Sequence, residues 1–214
     1  MKTDDLISML AGGAVAVPSN ALQRRYSIAL GVGAFGVILL MAAAELGVRP
    51  DIAAAVLLPM FWVKLAFVAV ILVGAVWAAQ RLSRPGTRLG GAPALIAVPV
   101  LVMWLLAAIA LLGAAPATRE ALVLGMSWNV CPAYIAMLSM PAFAAALWAM
   151  KGLAPTRPVV AGAAAGLMAG ALGALVYSIH CAEMAAPFIG VWYLLGISAP
   201  TMLGAVIGPW LLRW

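Results

Sequence analysis

The sequence predicts an all-α, polytopic membrane bundle of six transmembrane helices with both termini in the cytoplasm. Composition, the length of the apolar runs and the placement of basic residues carry that reading. Hydrophobic residues make up 67% of the chain and charged residues 8%, with a mean hydropathy of +1.15. A soluble domain is about half apolar and roughly a quarter charged. With 12 basic and 6 acidic side chains, a 214-residue globule would leave large apolar areas in water. Disorder fails for the opposite reason, because so much apolar area does not stay solvated. Open strands leave backbone groups unpaired in lipid, and the ten-residue alternation of a barrel is absent.

The N-terminal stretch MKTDDLISMLAGGAVAVPSNALQRR has acids at Asp4 and Asp5 and no long apolar core. It therefore reads as a retained, exposed segment over 1–25 and not as a cleaved signal peptide. Thr3 can cap a helix whose first turn carries both acids, which suits the positive end of the helix dipole. Leu6, Met9 and Leu10 then share one face. An acidic cap without a basic flank matches an anionic leaflet poorly, so a partner groove is the better use of that face.

About 20 apolar residues cross a bilayer as a helix. Residues 26–214 hold six such runs, at 27–47, 59–80, 93–114, 129–150, 159–179 and 187–211. Breakers or charges bound them: RPD at 49–51, RLSRPGTRLGG at 81–91, APATRE at 115–120 and KGLAPTRP at 151–158. The 52–60 segment, IAAAVLLPM, reads either as an interfacial turn or as the outer end of a long second helix. Gly and Ala at 161–174 mark a close-packing face. No internal repeat stands out, so an inverted-repeat transporter gains no support.

Orientation follows the basic residues. Lys2, Arg24, Arg25, Arg81, Arg84, Arg88, Lys151, Arg157 and Arg213 fall in one set of connections, and Arg49, Lys64 and Arg119 in the other. The richer set is assigned to the cytoplasm. The 48–58, 115–128 and 180–186 segments then face outside. These basic residues are too few and scattered for a nucleic-acid surface.

Cys131, His180 and Cys181 fall at the outer ends of spans four and five, on one membrane face. Such a pair can form a disulfide in an oxidising compartment, or bind a soft metal transiently with imidazole as a third ligand. The plainer reading is two small helix-packing residues. Lys64 either snorkels beside Phe61 and Trp62 or pairs with Glu45 or Glu183 in a polar cluster under the thiols, where it would favour thiolate. Most of the eight tryptophans fall near span ends and read as interfacial anchors. A single histidine does not supply paired haem ligands, and no G-x-S-x-G elbow is present. No resident cofactor is expected.

MKTDDLISMLA, LGVRPD at 46–51, FWVKLAF at 61–67, SWNVCP at 127–132, GLAPTRP at 152–158, HCAE at 180–183 and the closing GPWLLRW resemble the negative regulator of sigma F family from end to end. These are six-span anti-sigma factors of bacterial inner membranes. The resemblance implies that the cytoplasmic N-terminus, around Asp4, Asp5, Leu6, Leu10 and Ala11, holds an extracytoplasmic-function sigma factor inactive. It also implies that Cys131 and Cys181 are needed for response to metal or oxidative stress. Ala182 departs from the proline expected after the cysteine. The reading is a transmembrane anti-sigma factor and not an enzyme. Its rival is a membrane thiol-redox or metal-transport protein using the same cysteines.

Overall fold

The computed structural model describes residues 3–12, 20–153 and 155–213, and the side chains of Leu6 and Leu10 lie outside the described set. Among the described residues the regular structure is entirely helical: α1 (Thr3–Gly12), α2 (Ala21–Ala43), α3 (Ile52–Ala55), α4 (Pro59–Leu82), α5 (Ala92–Gly113), α6 (Pro116–Leu124), α7 (Cys131–Lys151), α8 (Pro158–Tyr177), α9 (Ala186–Phe188) and α10 (Leu194–Leu211). A π-helical turn at Ile189–Tyr193 joins α9 to α10. Six helices are long and apolar enough to cross a membrane: α2, α4, α5, α7, α8 and the continuous Ala186–Leu211 helix.

Proline sets most of the starts. It occupies the first helical positions of α4, α5, α7, α8 and α9, where its missing N–H removes no helical bond and its fixed φ suits the helix. The first span starts earlier than expected and includes both arginines of its first turns. Arg24 is exposed and the Arg25 guanidinium lies 5.5 Å from the Trp148 ring centre. That span also stops earlier, at Ala43. Glu45 adopts φ 57°, and the Leu46 N–H donates back to the Met41 carbonyl at 3.0 Å. This is a Schellman turn, completed by apolar contact between buried Leu46 and Met41. The 52–60 segment is a separate turn of helix, because Leu58 is extended and Pro59 begins α4.

α8 sits at the centre, packed against α10, α7, α4 and α2. Its Gly162 and Gly166 bring its backbone directly onto α10: an added Cβ would clash with the carbonyl oxygens of Gly204 and Pro200. Association in lipid relies on such close packing, since the lipid tails are as apolar as the helices. On its other side Gly173 leaves room for Ile135 and Ser139 of α7. Phe35, Leu39, Val73, Leu101, Leu105 and Leu112 project outward in an apolar belt.

The connections gather at two ends. At one, Tyr26 and Ser83 share a hydrogen bond of 2.8 Å, and the 84–89 and 156–157 segments line one cavity. At the other, the 47–51, 125–126 and 179–183 segments meet. Trp104 departs from the anchoring expectation. It sits in the middle of α5, and its indole N–H donates to Gly190 O in the π turn at 3.0 Å.

Candidate functional site

Cys131 opens α7, its N–H donating to Ser127 O at 2.9 Å. Cys181 lies in the turn after α8, its N–H donating to Tyr177 O at 2.9 Å. Both are free and buried, and the two side chains lie close enough for each thiol to perturb the other. Aromatic groups close around them. The Tyr177 hydroxyl interacts with Cys131, and its ring packs 6.2 Å from Tyr134, 5.6 Å from His180 and 6.1 Å from Tyr193 between centres. The buried Tyr193 hydroxyl lies beside Cys181 and Ser178 without a well-formed hydrogen bond.

Lys64 is fully buried. Its Nζ donates to the carbonyl oxygens of Cys181 at 2.8 Å and Glu183 at 3.1 Å, and lies 6.0 Å from the Tyr193 ring centre. Snorkelling to the surface is thereby excluded for this arrangement. The pairing with a carboxylate is also replaced, because backbone oxygens accept the lysine's hydrogen bonds. Glu45 is exposed in the Schellman turn and joins no cluster. The Glu183 carboxylate turns the other way and accepts the Met126 N–H at 2.6 Å. Gly125, at φ 57°, makes room for it, since a Cβ there would lie 2.8 Å from the carboxylate.

Arg49 supplies a second strap that the sequence reading counted only as a loop charge. Its N–H donates to Ile179 O at 3.2 Å, and its guanidinium reaches Cys181 O at 3.5 Å and Ala182 O at 3.4 Å. Asp51 grips the same guanidinium through two bonds of 2.7 and 2.6 Å. Arg49 therefore holds the Asp51 carboxyl below its ordinary range. The Cys181 thiol is also held below its ordinary value, first by the neighbouring Cys131 thiol and then by the Lys64 charge.

His180 does not face the thiols as a third ligand. The 47–51 segment captures its Nδ1 at 2.8 Å from Gly47 O. No group of three His, Cys, Asp or Glu side chains among the described residues is placed to hold a metal. What remains fits a soft ion only as a two-sulfur bridge. Tyr177, Tyr193, Arg49 and Asp51 were missed in the sequence. The RPD triplet was the one available signal, since an arginine and an acid two apart can pair and stiffen a loop.

α1 has Thr3, Asp4, Asp5, Ile7, Ser8, Met9, Ala11 and Gly12 exposed. The sequence expectation placed Thr3 as the cap, and the helix already includes it.

These features define a class: a helical bundle suited to a membrane, with a strapped thiol pair at one end and a short acidic-capped helix ahead of the first span. Residues 10–214 match the family described as negative regulator of sigma F. Two relatives match over the full length of both chains. One is the probable anti-sigma-F factor NrsF of Azospira oryzae, at 53% identity, and the other the anti-sigma-F factor NrsF of Caulobacter vibrioides, at 39%. The chain belongs to the negative regulator of sigma F family, a group of regulators. No solved structure matches it.

Proposed function

We propose that this chain is an anti-sigma factor of the bacterial inner membrane. It holds an extracytoplasmic-function sigma factor inactive through α1 and releases it when Cys131 and Cys181 are oxidised or bridged by a soft metal. The observation that carries the reading is the contact between two free, buried thiols contributed by α7 and the turn after α8. A two-electron oxidant such as a peroxide takes two electrons and two protons from the pair and leaves a disulfide. A thiophilic ion displaces the thiol protons and bridges the sulfurs. Either event changes the spacing of the ends of α7 and α8, whose other ends meet at the 151–158 connection.

Asp4, Asp5, Met9 and Ala11 are exposed on α1, and with Leu6 and Leu10 they form the proposed sigma-binding surface. A difference of about 3 kcal/mol between the two bundle arrangements would change partner occupancy more than a hundredfold. Cys131→Ser and Cys181→Ser are each expected to abolish induction by metal or oxidant while leaving repression intact. Deletion of residues 3–12 is expected to give constitutive transcription. A double-serine variant that still responds, or a deletion that still represses, would overturn the respective half of the reading.

A further inference from the structure

At the end of the bundle opposite the thiols, the α4–α5 and α7–α8 connections enclose a cavity of about 390 Å³. Arg84, Arg88 and Arg157 line it with Thr87 and Thr156. None of these three guanidiniums has a hydrogen-bonding or ion-pair partner among the described residues. Arg81 nearby is engaged differently, 5.7 Å from the Trp77 ring centre. Between residues 20 and 213 no carboxylate lies at this end: Glu45, Asp51, Glu120 and Glu183 all lie toward the thiols. The cavity therefore concentrates positive charge without internal compensation.

Leu82 and Leu89 line this cavity and also an apolar groove of about 280 Å³ that continues along the bundle. The groove runs between α4, α5 and α8, past Ala78, Ile96, Val160, Ala163 and Leu167. Half-buried Ala163 and exposed Val160 leave its side open toward the apolar belt. A cationic pocket at the end of membrane-length helices, continuous with a groove of acyl-chain character, matches one kind of molecule. We infer that this is a binding site for an anionic phospholipid. Its phosphate sits among Arg84, Arg88 and Arg157, and an acyl chain lies in the groove below. Arginine suits the phosphate because its planar fork donates to two oxygens at once. A soluble phosphate compound would leave the groove empty, and a zwitterionic lipid would bring its own cation to the arginines.

The test uses the full chain purified in a neutral detergent and titrated with phosphatidylglycerol or phosphatidylcholine, with bound lipid read by native mass spectrometry. Phosphatidylglycerol is expected to be retained in preference. Each basic group beside an anionic headgroup contributes roughly fivefold to binding, so R84Q/R88Q/R157Q is expected to weaken it by on the order of a hundredfold. The corresponding triple lysine variant should keep most of the binding. A163W should block the acyl groove and weaken binding with all arginines present. Equal retention of the two lipids, or displacement of phosphatidylglycerol by an equal concentration of glycerol phosphate, would overturn the proposal. So would a triple glutamine variant that keeps the lipid but no longer captures a sigma factor, because the pocket would then belong to that partner.

Discussion

Lys64 shows what a buried cation does when its partners are backbone oxygens. Its aliphatic stem is buried, while Nζ ties the carbonyls of Cys181 and Glu183 to α4. Lys64→Met keeps most of the stem and removes the donor. Two buried carbonyls then lose a partner, at a cost of about 2 kcal/mol. The thiol responds as well. Cys181 ionises below its ordinary value partly because of the lysine charge, and thiolate is the reactive form. In Lys64→Met the midpoint of the alkylation rate against pH should therefore move upward, toward an ordinary thiol near ~8.5. Measuring alkylation of Cys181 in a Cys131→Ser background would remove the other thiol from the readout, with the same single variant as its reference. An unchanged midpoint would show that Lys64 acts only on the loop's shape.

Helix ends and helix contacts differ in what the sequence reveals of them. The six spans were legible because lipid demands long apolar runs, and proline marks where most of them begin. The end of α2 was not, since glutamate carries no left-handed signal and Gly47 two positions later is the natural guess for such a turn. The 161–174 run announced close packing, but its partner, α10, emerged only in three dimensions. Gly166→Ala should force α8 from Pro200 of α10 and destabilise the bundle by about 3 kcal/mol. Gly31→Ala on α2 has open space around its Cβ, and should be neutral or stabilising by up to ~1 kcal/mol. Thermal unfolding of both variants in one detergent distinguishes contact from propensity. Comparable losses would mean that the glycines of α8 are not the close contact.

Across the whole molecule, the two ends differ in charge as well as in chemistry. Arg24, Arg25, Arg81, Arg84, Arg88, Lys151, Arg157 and Arg213 collect opposite the thiols, which have Arg49, Lys64 and Arg119 near four carboxylates. The basic-residue bias then predicts the thiol end outside. With the native cysteines replaced by serine, Thr87→Cys and Thr156→Cys should label only from the cytoplasmic side and Thr118→Cys only from the other. The reverse pattern would remove an external signal from the reading. That the thiols share an end was legible, because two spans, α7 and α8, lie between them and an even number of crossings returns the chain to the same face. Their straps were not. Lys64 and Arg49 bind mainly to carbonyls of the 181–183 turn, and a sequence displays side chains but no carbonyl geometry.

The choice of carbonyl acceptors has a bearing on what the thiol end can perceive. A carboxylate loses its grip on a cation when protonated, so a turn held by ion pairs loosens as its surroundings acidify. Peptide oxygens do not titrate in that range. Lys64 thus anchors the Cys181 turn to groups indifferent to acidity. The turn's attachments divide in two: the Lys64 strap keeps its acceptors while protons come and go, whereas the Arg49 strap is gripped by a carboxylate, and the atoms left to register an electron acceptor or a thiophilic ion are the two sulfurs.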